Sequence, residues 1–388
     1  MFNHPTGQRK DRSCFYQRSL LPGFSRSVVL KIAQIAPLTE RVPPQLYGGT
    51  ERVVSYLTEE LVRRGHEVVL FASGDSMTSA TLVAGAPKAL RMEPSVKDPL
   101  PHIVLLLEEV RKRAEEFDVL HFHTEILHFP VFRPYATRCL TTLHSRLDRS
   151  DIWPFYREFS DMPVVSISND QRHPLPHANW VATIPHGLPR GITRFNGAPR
   201  EDYLAFLGRI SPEKRPDLAI RIARKAGMKL KIAAKVDSVD REYFEREIRP
   251  LLAGPLVEWV GEIGEHEKPE FLGNARALVF PIDWPEPFGL VMIEAMASGT
   301  PTIAYRRGSV PEILTDGVSG WIVDGEEGAV EAVRKLDALD RAAVRKCFER
   351  RFTVERMADN YLKVYGALAR ARVDRSIPNR AAEKVAWT

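Results

Sequence analysis

Two glutamates separated by a short apolar stretch, Glu286 and Glu294, are the residues in this sequence best suited to chemistry. Glu286 lies in a proline-rich loop after the apolar segment 277–280, which has the pattern of a buried strand. Glu294 lies in the apolar helical run that follows Phe288-Gly289-Leu290. A helix N-terminus offers unpaired N–H groups and partial positive charge, which suit a phosphate. We therefore expect the loop carboxylate to meet sugar hydroxyls and the helix carboxylate to accept the paired hydroxyls of a ribose.

Two cations lie in another strand-to-helix loop. Arg209 and Lys214 follow the apolar segment 203–207 and precede the helical pattern 217–226. Arginine offers planar, forked donors and lysine a compact charge, so together they can neutralise a diphosphate. Alternatively, these cations and the two glutamates are ordinary charged side chains in contact with solvent.

Glycines and histidines mark the N-terminal half. Gly48 and Gly49 precede a helical pattern, and glycine lets a ligand approach a helix N-terminus closely, although a plain tight turn uses the same residues. His123 and His144 each follow a strand-like segment, and α/β proteins bind ligands at the carboxyl ends of parallel strands. Each histidine could instead be a structural hydrogen-bonding residue.

The spacing of Glu286 and Glu294, with Gly299-Thr300-Pro301 after them, resembles the retaining glycosyltransferases of family 4. The resemblance extends over residues 28–369. It implies an α/β fold of the GT-B type, in which two Rossmann-like, doubly wound domains face each other across a cleft and a C-terminal helix crosses back to the N-terminal domain. It also implies a metal-independent transferase with a nucleoside-diphosphate sugar as co-substrate and no cofactor, and the chain has no Asp-x-Asp triplet.

The resemblance also assigns residues. The Gly-Arg-x4-Lys spacing is similar to the family's phosphate clamp, and Thr142-Leu143-His144 is similar to the strand whose terminal histidine contacts the donor sugar. The implied catalytic residues are His144, Glu286, Arg209 and Lys214. The implied donor-binding residues are Gly48, Gly49, Arg209, Lys214, Glu262, Ile263, Glu286, Phe288, Gly289, Leu290 and Glu294. His123 is assigned to the acceptor side, and no metal ligand is expected. The chain departs from the family at Lys235-Val236-Asp237, where glycine is common.

The domain boundaries follow from the strand pattern and from a linker rich in proline and glycine. We expect a disordered or wrongly started extension at 1–27, an N-terminal acceptor domain at 28–188, a linker at 189–200, a C-terminal donor domain at 201–350, a crossover helix at 351–370 and a basic tail at 371–388.

Composition restricts the partners. The 388 residues are 44% hydrophobic and 27% charged, as in soluble globular proteins, and no apolar run is long enough to span a bilayer. The net charge of +5 comes from the two ends, which does not indicate a nucleic-acid groove, although basic tails could contact an anionic membrane surface. Three scattered cysteines fit a reducing compartment. We expect a cytoplasmic protein, with a peripheral position at the inner membrane face as the alternative.

Other functions remain open. A nucleotide-sugar epimerase or hydrolase on the same fold would need no separate acceptor, and a non-catalytic nucleotide-sugar binder would need no chemistry at all. A hydride-transfer enzyme is disfavoured because the chain has no G-x-G-x-x-G fingerprint. The sequence leaves the donor sugar, its base (UDP, GDP or ADP), the acceptor and the oligomeric state open.

Overall fold

The structure is a computed structural model that describes residues 29–193, 195 and 197–376, with side chains described as far as residue 370. The expected extension at 1–27 lies outside the described residues. So does the expected tail, apart from the backbone of its first residues, which continue the last helix.

The first lobe is built on a parallel sheet. Its strands within the described residues are β1 (Lys31–Ile35), β2 (Glu67–Ser73), β3 (Thr81–Ala86), β4 (Val119–Phe122), β5 (Cys139–Thr142), β6 (Pro163–Ser166) and β7 (Asn179–Thr183). Their spatial order is β3-β2-β1-β4-β5-β6-β7. The order reverses at β1 and β4, so the carboxyl ends of these strands form the crevice where such sheets bind ligands.

The second lobe repeats this design. Its strands within the described residues are β8 (Tyr203–Arg209), β9 (Lys229–Lys235), β10 (Val257–Gly261), β11 (Ala277–Phe280), β12 (Thr302–Tyr305) and β13 (Gly320–Val323). They are parallel, in the order β10-β9-β8-β11-β12-β13, with the reversal between β8 and β11. The strands that carry the Arg209–Lys214 loop and the Glu286–Glu294 loop are therefore neighbours.

Helices connect and cover the strands. In the first lobe these are α1 (Gly49–Arg63), α2 (Leu100–Lys112), α3 (Phe129–Phe132) and α4 (Trp153–Glu158). In the second lobe they are α5 (Pro216–Ala226), α6 (Arg241–Tyr243), α7 (Lys268–Gly273), α8 (Leu290–Ala297), α9 (Val310–Ile313), α10 (Glu326–Arg334) and α11 (Arg341–Arg351). The last helix is α12 (Val354–Ser376).

The last helix crosses back to the first lobe, as expected. Met357 and Tyr361 are buried against Leu57 of α1 and Leu140 of β5 in one apolar cluster. Where the chain passes between the lobes, the backbone of Leu188 bonds to Phe352 and Val354. The crossover helix is thus attached to the hinge at one end and to the N-terminal sheet along its length.

The observed elements differ from the expected ones in a few places. The first strand begins at Lys31, later than the apolar pattern from Val28, and Val28 lies outside the described residues. The edge strand β3 was not predicted, because its sequence TLVAGA has no clear alternation and includes a glycine. The crossover helix starts at Val354 and runs further than its apolar pattern.

Candidate active site

The loop before α8 is held rigidly in the second lobe. Gly289 has a φ of 79°, a left-handed conformation that glycine adopts without strain, and the helix begins at the next residue. Ser309 donates from its backbone to the carbonyl of Glu286 (2.9 Å) and from its hydroxyl to the carbonyl of Phe288 (3.0 Å). Gly308 packs so closely that a Cβ there would lie 2.3 Å from the backbone nitrogen of Glu286. The position of the loop carboxylate is therefore fixed by backbone contacts.

Glu286 and Lys214 form an ion pair. The Nε1–H of Trp284 donates to the same carboxylate at 3.0 Å, and Lys214 Nζ lies 4.7 Å from the centre of the Trp284 ring. Glu286 is only 7% exposed, so the pair is largely desolvated. A residue expected to bind sugar and a residue expected to bind phosphate are thus in direct contact.

Arg209 lies among carboxylates. Its Nη2 is 2.7 Å from Glu213, and its Nη1 and Nε are 3.7 Å from Asp237 and 3.9 Å from Asp240. The Nε–H has no hydrogen-bond partner among the described residues. Asp237 belongs to the segment that departs from the family's glycine, and it places negative charge beside the expected phosphate clamp.

Glu294 is ion-paired on one side. Its Oε1 accepts from Arg52 Nη1 (3.3 Å) and from Lys268 Nζ (3.1 Å). Burial opposes ionisation of this carboxyl, but Lys268 and Arg52 outweigh that effect and lower its pKa. Arg52 also contacts Glu265 at 2.6 Å, and it belongs to α1 of the first lobe. The carboxylate therefore stays ionised in a buried site with its second oxygen left for a ligand.

The glycine pair brings the first lobe close to α8. A Cβ at Gly48 would lie 2.7 Å from Pro44, and one at Gly49 would lie 3.3 Å from Leu290 at the start of α8. Gly48 also has a φ of 157°. The small residues therefore allow the N-termini of α1 and α8 to approach each other across the cleft.

His144 lies at the end of β5 on the first-lobe side. Its backbone N–H and that of Ser145 donate to Glu125 Oε1, each at 3.1 Å. Its ring lies nearly parallel to that of His186, with 5.2 Å between centres and 19° between planes. Burial lowers the pKa of His144 to about 3, so the imidazole is neutral at physiological pH.

His123 lies in the interior of the first lobe. Its side chain is 1% exposed and lies behind His144, with 2.9 Å between His123 Nδ1 and His144 Nε2. His121 belongs to β4 and His123 directly follows that strand, and both side chains are buried. His123 therefore contacts His144 from behind and is not among the residues that line the cleft.

One cleft of about 370 Å³ between the lobes brings the remaining site residues together. The expected residues that line it are Gly48, Gly49, His144, Arg209, Lys214, Glu262, Ile263, Glu286, Phe288, Gly289, Leu290 and Glu294.

The cleft also contains residues that the sequence analysis did not single out. They are Arg52, His186, Lys268 and Trp284. Arg52 follows the glycine pair by three residues, and His186 stands at the end of a strand. This position in the sequence is the signal that could have identified each of them as a site residue. Lys268 reaches the site through a contact distant in sequence, whereas Trp284 lies two residues before Glu286 in the same loop.

The described part of the chain has neither a cluster of metal-ligating side chains nor a membrane-spanning helix. Residues 29–193, 195 and 197–376 contain no group of three or more histidine, cysteine, aspartate or glutamate side chains placed to hold a metal ion. Over the same residues, no helix combines the length and the apolar character needed to cross a membrane.

Family comparisons match both lobes. Residues 47–192 match the family described as Glycosyltransferase Family 4, and residues 192–345 match the family described as Glycosyl transferases group 1. Together the two matches extend from the glycine pair to α11.

Curated relatives carry related names. A D-inositol 3-phosphate glycosyltransferase of Nocardia farcinica is 31% identical over 227 residues, which are 49% of this chain and 48% of the relative. The chain thus spans about half the length of that relative, and 30% of a relative of the same name from Mycobacterium sp. (strain KMS). The relative of that name from Mycolicibacterium smegmatis is 26% identical over 354 residues, covering 76% of this chain and 79% of the relative.

Solved structures share the two-lobed fold. AviGT4, a glycosyltransferase involved in avilamycin A biosynthesis, superposes with a TM-score of 0.70 at 26% identity, covering 88% of this chain and 98% of its own. Sucrose-phosphate synthase from Thermosynechococcus elongatus also gives 0.70, at 19% identity, with 88% and 100% covered. HepE of Anabaena, solved with UDP and glucose, gives 0.67 at 15% identity, with 87% and 99% covered. The expected GT-B arrangement of two facing Rossmann-like lobes is confirmed.

Proposed function

Because this chain belongs to the group 1, family 4 glycosyltransferases, we propose that it transfers a sugar from a nucleoside-diphosphate sugar to an acceptor hydroxyl. The observation that carries the proposal is the convergence of Arg209, Lys214, Glu286 and Glu294 on one cleft. Cations, a helix N-terminus and two carboxylates together match the chemical parts of a sugar nucleotide. The complexes of HepE with UDP and with UDP-glucose add support from a protein of the same fold.

The diphosphate would lie between the two cations and the N-terminus of α8. In the ligand-free cleft Lys214 is paired with Glu286, and Arg209 with Glu213. An arriving diphosphate offers each cation a more highly charged partner, and Lys214 can then bridge phosphate and Glu286. Lys214 and Trp284 both contact Oε2 of Glu286, so its Oε1 would accept from the hydroxyls of the donor sugar.

The ribose would bind at Glu294. Its Oε1 is taken by Arg52 and Lys268, which keep the carboxylate ionised and oriented. The other oxygen can accept from a ribose hydroxyl. The base would lie near Glu262 and Ile263, which line the same cleft beyond the end of β10.

The transfer step needs charge stabilisation more than a protein nucleophile. We propose attack on the front face of the sugar, with retention of configuration. The bond from the anomeric carbon to phosphate oxygen breaks, the acceptor oxygen bonds to the same face, and the acceptor proton passes to the departing phosphate oxygen. Arg209, Lys214 and the amides at the start of α8 would stabilise the negative charge that develops there, without a bound metal ion. His144, neutral in this site, would position the sugar.

Measuring the turnover of two matched lysine variants tests this proposal. UDP-, GDP- and ADP-sugars that raise the melting temperature identify a donor, and release of the nucleoside diphosphate is then followed with a panel of hydroxyl acceptors. We expect Lys214→Ala to lower turnover by about 10²–10³-fold, the cost of losing one group that stabilises developing charge. Lys225→Ala, an exposed lysine of α5, is the control and should keep full turnover.

Other outcomes would contradict the proposal in whole or in part. Rapid consumption of the donor without any acceptor would indicate a hydrolase or epimerase. Saturable donor binding with no transfer to any acceptor would indicate a nucleotide-sugar binder. Full turnover in Lys214→Ala would remove the phosphate-clamp assignment.

A further inference from the structure

A buried chain of hydrogen bonds leads away from the cleft behind His144. His144 Nε2 lies 2.9 Å from His123 Nδ1, and His123 Nε2 lies 2.9 Å from Gln34 Oε1. The Gln34 amide nitrogen donates to the Tyr365 hydroxyl at 3.0 Å. Gln34, His123 and Tyr365 are each no more than 1% exposed. The cleft is thus connected to the crossover helix through the centre of the first lobe.

The series of hydrogen bonds continues past Tyr365. The Tyr365 hydroxyl lies 2.7 Å from His121 Nδ1, and His121 Nε2 lies 2.8 Å from Thr142 Oγ1. Thr142 in turn lies 2.8 Å from the Tyr361 hydroxyl. These four side chains are completely buried. A buried polar network of this length is costly unless all its members are satisfied, so it calls for a reason other than stability.

With the Gln34 amide oxygen facing His123, counting donors and acceptors determines the tautomers. A neutral imidazole has one N–H and one lone pair, and a carbonyl oxygen can only accept. Because Gln34 Oε1 faces His123 Nε2, that nitrogen must carry the proton, and His123 Nδ1 must accept from His144 Nε2–H. Nδ1 of His144 is then a lone pair, and it makes no hydrogen bond to any of the described residues. His144 lines the cleft, so this lone pair is available to a ligand.

The direction of every bond depends on Gln34. If its amide were turned over, its N–H would donate to His123, and His123 Nδ1–H would donate to His144. The free nitrogen of His144 would then carry a proton. The opposite direction also satisfies Tyr365, His121 and Thr142, since each can both donate and accept. Gln34 is the one member whose two ends differ in kind, because its oxygen only accepts and its nitrogen only donates.

We propose that Gln34, through His123, is a positioning residue that holds His144 as the Nε2–H tautomer, so that Nδ1 accepts a hydrogen bond from a substrate hydroxyl. Tyr365 contacts the Gln34 amide nitrogen from the crossover helix. The substrate part of the proposal rests on the proposed function, whereas the tautomer is a property of the free protein. A hydroxyl is the matching ligand because it can donate to the lone pair.

The tautomer can be measured directly. In protein labelled with 15N-histidine, the spectrum distinguishes protonated from unprotonated ring nitrogens, and His144→Asn identifies the His144 signals. We expect Nδ1 unprotonated and Nε2 protonated in the wild type. Gln34→Met, which has a similar length and no amide, should give a mixture of tautomers. Gln34→Glu should keep the wild-type tautomer, because a carboxylate still accepts from His123.

A matched control separates this role from general loss of a buried hydrogen bond. Thr141 precedes Thr142 on β5, and its hydroxyl lies 2.8 Å from Nε2 of another buried histidine, His128. Neither residue belongs to the series of hydrogen bonds that leads from His144 to Tyr361. Thr141→Val should leave the His144 signals unchanged. Affinity for UDP-glucose, GDP-mannose or ADP-glucose, whichever binds, should fall about tenfold in Gln34→Met, while affinity for the matching nucleoside diphosphate stays constant.

The results of these experiments test the Gln34 proposal separately from the proposed function. A protonated Nδ1 in the wild type would overturn it, as would an unchanged His144 tautomer in Gln34→Met. The wild-type spectrum decides the first point even if that variant does not fold. The expected tautomer with no binding of any sugar nucleotide would reject the proposed function and the sugar hydroxyl as the ligand, and would leave the Gln34 assignment supported.

Discussion

Arg52 Nη1 lies 3.3 Å from Glu294 Oε1, so a buried arginine of the first lobe pairs across the cleft with the carboxylate proposed to hold the ribose. Both side chains are almost inaccessible to solvent, at 5% and 7% exposure. The contact joins the N-terminus of α1 to the interior of α8. The carboxylate proposed to bind the ribose is thus also a contact between the two lobes.

Removing this arginine should cost stability. In Arg52→Met the Glu294 carboxylate keeps Lys268 but loses its second charged donor in a buried site. We expect the free energy of unfolding to fall by about 2 kcal/mol, a typical value for a hydrogen bond to a charged group. Urea denaturation measures it. Arg63→Met is the control on the same helix, since Arg63 is 66% exposed and should change stability by less than about 0.5 kcal/mol. Equal losses in both variants would contradict a special role for Arg52.

The loop that carries Glu286 should be sensitive to a methyl group behind it. Gly308 has a φ of 51°, and its Cβ would lie 2.3 Å from the Glu286 backbone, so Gly308→Ala must displace that loop. We expect the transfer rate to fall by about 10²-fold, because small misplacements of binding groups have effects of that size. Gly325→Ala is the control: its Cβ would have no neighbour within 4 Å and its backbone is extended, at a φ of −170°. Similar transfer rates in the two variants would show that the loop position does not matter.

Acid should destabilise the protein through its buried histidines. Burial lowers the pKa of His121, His123, His128 and His186 well below the usual value, and that of His144 to about 3. Unfolding restores a pKa near 6.5, so the unfolded chain binds more protons below that pH. Stability should be fully present above about pH 6.5 and should be lost as the pH falls towards the folded pKa values, by up to about 1.4 kcal/mol per pH unit for each histidine.

Unfolding in urea at several pH values between 7.5 and 5 measures this slope. Glu51 and Glu125 act in the opposite sense, because burial raises their pKa values. His173→Gln is the control, since that side chain is 78% exposed and should not change the slope. A stability that does not vary with pH over this range would contradict neutral, buried histidines in the folded protein.

Local sequence was informative wherever a site residue belongs to a short loop at the end of a strand. The loops with Arg209, Lys214, Glu286 and Glu294 could be placed because apolar strands precede them and helical patterns follow. Gly48 was placed in the same way. In parallel sheets the carboxyl ends of neighbouring strands meet at one edge, which brought these loops to one cleft.

Pairings across long sequence separations could not be predicted. Nothing in the sequence near Arg52 indicates that it meets Glu294, because that contact depends on how the lobes close. Two of the carboxylates around Arg209, Asp237 and Asp240, come from a different loop. His123 was assigned to the acceptor side from its position at a strand end, and its side chain is buried beside His121.

The most direct test of the central claim is the affinity for sugar nucleotides when the two cations of the clamp are removed. Calorimetric titration with UDP-glucose, GDP-mannose and ADP-glucose should show binding of at least one of them at one site per chain. In the double variant Arg209→Ala/Lys214→Ala that affinity should fall by about 100-fold or more, as expected for two lost charge-assisted contacts. The exposed pair Lys225→Ala/Arg306→Ala should bind like the wild type. Equal affinities in all three proteins would contradict the claim that these cations hold the diphosphate.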